Sequence, residues 1–295
     1  MRLHRPTRIF LLAAALAMVT ATGLADDTTT TRPSDPNATA SKLPDVEPGV
    51  RRILEAMEKA AGYKNIRAEL TYKVYDRLEG SSETRSGWVI HKPADPDANA
   101  PAKFAIHFET LQRDKKPRVR ERIDYAFDGR WLTVAKEKVK QVHRIQVAGK
   151  NQRIEPMRLG RGPFPMPFGQ KVDDMLRFFD ISTRDPRSTD PNGTAYLELV
   201  TRPEMRPYVN FLKLEMWLDR KTNRPVKLVS HQGDPTRKVR RKRILKRDIF
   251  KRTTVTFGET KTNVDLPEDT FRPEAKRGWK VIVEPMKKPA AKPVE

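Results

Sequence analysis

The hydrophobic pattern opens with a helical period and is then mostly strand-like, with one interruption near the middle. Val50, Ile53, Leu54 and Met57 stand at i, i+3, i+4 and i+7, which predicts one amphipathic helix with Pro48 in its first turn and Gly62 as its cap. From Ile66 the period is two. Ile66, Ala68, Leu70, Tyr72 and Val74 alternate with Arg67, Glu69, Thr71 and Lys73, as a half-buried strand does. Glu79–Ser82 turns it into a partner ending at Trp88–Ile90, and a Pro93–Pro101 loop leads to the alternating Phe104, Ile106 and Phe108. Asp128-Gly129 joins Ile123–Phe127 to Trp131–Val134 as a hairpin, since Asp-Gly suits the left-handed angles of a tight turn. Val139–Val147 continues the meander.

A different segment follows. Pro156–Gly169 holds four prolines together with Phe164, Met166 and Phe168, so it is neither regular helix nor central strand. It feeds a short helix in which Val172, Met175, Leu176 and Phe179 share a face. Strands resume at Ala195–Val200, at the alternating Leu212, Leu214, Met216 and Leu218, at Val226–Ser230, at Thr253–Phe257 and at Val281–Val283. A mainly β (α+β) chain with so few helices cannot cover an apolar sheet face with a helical layer. The sheet must curl. The expected architecture is a curled antiparallel sheet forming an unclosed half-barrel, with an N-terminal helix and a short helical lid.

Three local patterns carry a family resemblance. One is Phe127-Asp128-Gly129-Arg130-Trp131-Leu132; another is Leu218-Asp219-Arg220-Lys221-Thr222-Asn223-Arg224-Pro225-Val226. The third runs from Val255–Phe257 through Asn263 to Leu266-Pro267-Glu268-Asp269-Thr270-Phe271 and Gly278-Trp279. With the element order, they make the chain similar to the periplasmic lipoprotein-carrier (LolA/LolB-like) superfamily, which includes outer-membrane lipoprotein-sorting proteins and sigma-factor regulators. The loops Pro93–Pro101 and Arg113–Arg122 are additions to the simple carrier. The resemblance implies a half-barrel that holds acyl chains under a helical lid, without catalysis.

Strand parity proposes the residues that face such a cavity. Leu70, Tyr72, Val74, Phe104, Ile106, Phe108, Leu214, Met216 and Leu218 point inward, and Phe164, Met166, Phe168, Leu176 and Phe179 line the lid. Each reads equally as core or as cavity lining. Burying an acyl chain there gains about 0.8 kcal/mol per methylene, and pliable Met and Phe side chains suit an adaptable surface.

Composition and charge then set the compartment and the partners. Arg2, Arg5 and Arg8 precede the apolar run Ile9–Val19, and Gly23-Leu24-Ala25 ends it before an acidic pair. That is the layout of a signal peptide cleaved after Ala25, which places the mature chain in the periplasm; the alternative is an uncleaved membrane anchor. The expected organisation is signal peptide 1–25, Thr/Pro/Asp linker 26–44, one half-barrel domain 45–284 and a basic tail 285–295. The 295-residue chain has no cysteine, which excludes disulfides, thiol catalysis and Cys-based zinc sites.

The net charge is +21, and it is uneven. Residues 237–252 hold ten Lys/Arg and one acid, and Arg113–Arg122 holds six basic residues and two acids. Secretion and the near absence of aromatic residues in these runs argue against nucleic acid. A solvated face competes with an anionic membrane surface contacted by Arg240, Arg241, Lys242, Arg243, Lys246 and Arg247. No G-x-S-x-G, H-E-x-x-H or P-loop is present, and His91, His107, His143 and His231 lack metal-ligand spacing. The reading is a monomeric, non-enzymatic carrier of lipid or lipoprotein acyl chains with no cofactor and no metal. Two alternatives stand beside it: an envelope regulator or scaffold that binds a protein through the same fold, and a hydrolase whose site only folding assembles.

Overall fold

Strand β1 (Ile66–Asp76) alternates buried and exposed side chains over its first eight residues, and the sheet is built outward from it. The computed structural model describes residues 43–95, 97–149, 159–160, 164–233 and 244–286. β1 pairs with β2 (Ser81–Lys92) on one side and β11 (Ile249–Thr262) on the other. β3 (Lys103–Arg113), β4 (Val119–Phe127), β5 (Trp131–Lys136) and β6 (Gln141–Gln146) continue the meander beyond β2. β10 (Pro225–Gly233), β9 (Lys213–Asp219), β8 (Thr194–Thr201) and β7 (Phe179–Arg184) extend the other side, and β12 (Lys280–Glu284) joins β6. The result is one 12-stranded sheet whose edges, β12 and β7, do not meet. It is an unclosed half-barrel.

The curl has a local cause. The pairing slips between Ala68 and Leu70, between Ser86 and Gly87, and between Phe108 and Thr110. These irregularities lie at one level across β11, β1, β2, β3 and β4, and bulges bend the strands that carry them. Gly87 has no room for a side chain there, because a Cβ would overlap the His107 carbonyl oxygen.

The concave face is covered by α1 (Pro48–Lys59), by α2 (Val172–Phe178) and by the described part of the Pro-rich segment before it. Val50, Leu54 and Met57 of α1 and Val172, Met175, Leu176 and Phe178 of α2 are all buried in the same cluster as the inward strand residues. Glu58 ties the helices together by accepting the Val172 amide at 2.9 Å. On the convex face Phe271 packs against Ile90, Ala105 and Ala126.

Several sequence expectations change. α1 ends at Lys59 with Ala60 in a right-handed cap, so Gly62 is not its left-handed cap. Phe179 lies outside α2 and opens β7. Arg113–Arg122 is not an added loop: β3 runs through Arg113 and β4 starts at Val119. The sheet is antiparallel except where β12 runs parallel to β6. No helix of the described residues is long and apolar enough to cross a membrane.

Candidate functional site

Every inward residue named from strand parity reaches one hydrophobic cluster. Leu70, Tyr72, Phe104, Ile106, Phe108, Leu214, Met216 and Leu218 are buried in it, and Val74 packs against it half-buried. Phe164, Met166, Phe168 and Leu176 join from the lid side, and Phe179, predicted for the lid, joins from the edge strand β7. Parity explains the strand half of this set. The lid half follows from the absence of other cover: prolines forbid regular structure, so the segment inserts side chains one by one.

The lid's rings enter the concave face directly. Phe164 meets Tyr72, Phe108 and Tyr125 with centroids 5.6, 6.2 and 5.0 Å away. Phe168 packs edge-on to Phe257 at 5.2 Å and stacks on His91 at 5.9 Å. Gln170 fastens the segment to itself, accepting the Leu159 amide at 3.1 Å and donating to the Phe168 carbonyl at 2.9 Å. The Gly160 carbonyl accepts the Asn210 amide at 2.9 Å, and Gly160 has φ +81° with Val209 packed where a side chain would stand. Backbone bonds hold the ends of the lid, and apolar contacts hold its middle.

Burial has electrostatic consequences. The His91 imidazole, which contacts Tyr63 Oη at 3.3 Å, is pushed down to about 4 by desolvation. Desolvation also raises Tyr125 to about 12 and moves Tyr72 upward. One polar group on this face was missed in the sequence. Arg85 pairs with Tyr72 across β1 and β2 and so points inward, bonded by Nε to Glu83 at 2.7 Å and by Nη2 to Glu121 at 3.1 Å. Its Nη1 is buried with no partner among the described residues. Burial disfavours the Glu121 carboxylate, but the bonds and charges of Arg85 and then Lys138 outweigh it and lower its pKa. Its inward placement depends on the β1–β2 register, in which Asp76 stands opposite Ser81 and Arg85 opposite Tyr72.

The four histidines of the folded region do not converge. His107 Nδ1 lies 2.8 Å from Asp124, His231 Nε2 2.7 Å from Glu215, and His143 Nε2 2.8 Å from Glu284, while His91 is under the lid. Among the described residues no group of three His, Cys, Asp or Glu side chains is placed to hold a metal. A cavity of about 530 Å³ lies on the convex side of the bend, lined by Arg67, Glu69, Trp88, Glu109, Arg118 and Lys261 among others. Trp88 is stacked on His107 at 3.6 Å with the Arg67 guanidinium 4.9 Å from its ring, so neither ring face is open to a ligand. Of the basic residues proposed for an anionic surface, Lys246 and Arg247 are exposed. Arg240, Arg241, Lys242 and Arg243 lie outside the described residues.

A half-barrel with an apolar concave face, capped by an irregular lid, defines a class of fold. Solved structures of that class are similar to this chain. An uncharacterized conserved protein from Thermus thermophilus is 15% identical with a TM-score of 0.42, covering 80% of this chain and 99% of that one. A LolA superfamily protein from Nitrosomonas europaea is 14% identical with a TM-score of 0.32, covering 76% and 97%. The Mycobacterium tuberculosis lipoprotein LppX is 8% identical with a TM-score of 0.39, covering 75% and 100%. At these identities the likeness is one of fold alone. No protein-family profile matches the sequence, and no curated protein matches it.

Proposed function

We propose that this chain is a periplasmic, non-enzymatic carrier that holds acyl chains between the concave sheet face and the lid. One observation carries the reading. Phe164, Met166 and Phe168, from a segment that is neither helix nor strand, occupy the middle of the concave face with their side chains buried. An acyl chain offers the same chemistry in the same place and would displace them. Each methylene transferred gains about 0.8 kcal/mol, so a long chain offsets the loss of the lid's own contacts. The edges β7 and β12 leave the half-barrel unclosed, which lets the sheet widen around a guest.

The N-terminal charge pattern and apolar run support export to the periplasm with cleavage after Ala25. N-terminal sequencing of the protein isolated from envelopes tests this, and a start at Met1 refutes cleavage there. A displacement titration with a fluorescent fatty acid tests the carrier reading. Saturable binding that Phe164→Asp weakens supports it, and absence of binding by the folded wild type refutes it.

A second reading draws on the closeness of the lid packing. Phe164 touches three rings at once, as a permanent core residue does. In that case the face stays filled, and the protein serves as an envelope scaffold or regulator whose partner binds elsewhere. A lid whose amides exchange only on global unfolding, with or without lipid, favours this second reading.

A further inference from the structure

The described part of the 237–252 run, residues 244–252, lies at the same end of the half-barrel as the Arg113–Arg122 run. Register places the β1–β2, β3–β4 and β5–β6 turns, the Lys246–Asp248 turn before β11, the β8–β9 connection and the approach to β12 at that end. Most of these segments touch. Arg77 donates from its amide to the Phe250 carbonyl at 2.8 Å and from Nη1 to the Lys246 carbonyl at 2.9 Å. Ser82 and Asp114 exchange two bonds of 2.7 and 2.8 Å. Lys138 reaches Glu121 at 3.3 Å, Lys276 reaches Glu137 at 3.5 Å, and the Lys280 amide reaches the Lys140 carbonyl at 2.8 Å.

The two ends differ in charge. Residues 77–80, 114–118, 137–140, 202–212, 244–248 and 276–279 carry twelve Lys/Arg against five Asp/Glu, a formal excess of +7. The described connections that start from the opposite end, 62–65, 93–102, 128–130, 147–149, 159–160, 164–171, 185–193, 220–224 and 263–275, carry eight against nine, or −1. Local structure occupies several acids of the basic end: Asp114 caps the Ser82 amide, Asp248 caps the Leu245 amide, and Glu137 pairs with Lys276.

Apolar exposure follows the same polarity. Leu78 at the β1–β2 tip is 77% exposed, Val139 at the β5–β6 tip 59% and Val119 at the start of β4 52%. Of the other exposed large hydrophobic residues of the described chain, Tyr75 lies near this end of β1, Val281 and Val283 lie along the edge strand β12, and Met286 follows β12 at the opposite end. Three separate turns each raise one apolar side chain among lysines and arginines.

We infer that this end docks on the surface of an anionic lipid bilayer, with its Lys and Arg side chains on the lipid phosphates and Leu78, Val119 and Val139 in the headgroup layer. Charge alone would suit an acidic protein equally. The exposed apolar side chains stand among lysines and arginines, and each can sink into a fluid, anionic surface. The inference is independent of what the concave face holds.

Co-sedimentation of the full chain with vesicles tests it, using phosphatidylcholine alone and phosphatidylcholine mixed with phosphatidylglycerol. The N-terminal 42 residues are common to every arm, so differences between variants report this end. The expected results are binding to the phosphatidylglycerol vesicles that weakens between about 0.1 and 1 M salt and a loss of about tenfold or more in Lys115→Glu/Lys116→Glu/Arg118→Glu. The control Lys64→Glu/Arg187→Glu/Lys221→Glu makes the same charge change at the opposite end and should bind as wild type. Leu78→Ser should weaken binding about threefold while leaving the salt dependence. Equal loss in the two triple variants, or equal binding to phosphatidylcholine alone, overturns the docking end. Unchanged binding by Leu78→Ser overturns the insertion of its tip.

Discussion

Phe164 of the lid meets Tyr125 of β4 edge to face, with centroids 5.0 Å apart and ring planes at 77°. The contact joins a segment without regular structure to the centre of the concave face, so the lid is part of the core whenever no guest is bound. Truncating Phe164 to Ala should cost about 3–5 kcal/mol, as large-to-small changes at buried aromatic positions do. If the lid and a guest compete for one space, a long-chain fatty acid should restore more of the melting temperature in Phe164→Ala than it adds to wild type. Thermal denaturation with and without the fatty acid measures both.

His91 makes lid stability depend on pH. Its folded pKa is lowered to about 4 by burial, against about 6.5 in an unfolded chain. Between those values the unfolded state binds the proton and the folded state does not. Stability is therefore fully present above about pH 6.5 and declines as pH falls toward 4, by up to about 3 kcal/mol. Because the ring stacks on Phe168 and lies beneath Gly169, the lid should loosen first. Urea unfolding from pH 4 to 8 should show this slope in wild type and a flatter one in His91→Phe.

Arg85 should be costly to remove alone and much less so with its partners. Arg85→Ala leaves Glu83 and Glu121 near each other on the inward face and is expected to cost about 3–5 kcal/mol. Arg85→Met combined with Glu83→Gln and Glu121→Gln removes all three charges and should recover most of that loss. Denaturant midpoints of the two variants decide the matter, and equal midpoints would show that charge pairing is not what holds the cluster.

Gly87 should tolerate no side chain. A Cβ there would overlap the His107 carbonyl, so Gly87→Ala must move β3 or straighten the bulge. A destabilisation of about 3 kcal/mol or more is expected, readable as a lowered melting temperature. Gly80→Ala, where nothing lies within 4 Å but φ is +62°, should cost only about 1 kcal/mol.

Much of the sheet could be read from the sequence because its inward face is apolar and its outward face polar, which makes period two visible in β1, β3, β4 and β9. The strand that was missed, β7, lacks that contrast. β7 buries only Phe179, and the turn Lys115–Arg118 is so charged that the ends of β3 and β4 read as loop. β12 pairs with β6 some 140 residues away and in parallel, a relationship that no local period encodes. The apolar half of the candidate site was legible for the same reason as the strands, since parity assigns a face. Arg85 was not, because Ser81-Ser82-Glu83-Thr84-Arg85 has no hydrophobic alternation, and only the pairing register places it inside. That residues 244–252 and Arg113–Arg122 share one end likewise depends on strand order.

The most direct measurement is the lipid content of the protein isolated from bacterial envelopes, by organic extraction of the purified native chain and mass spectrometry. Acyl-bearing lipid at close to one molecule per protein, in contact with Phe164 and Phe168 by photo-crosslinking from either position, is the result that an acyl carrier must give. Folded, monodisperse protein that yields no lipid, and whose lid takes up none when offered it, would contradict it and leave the filled core as the native state.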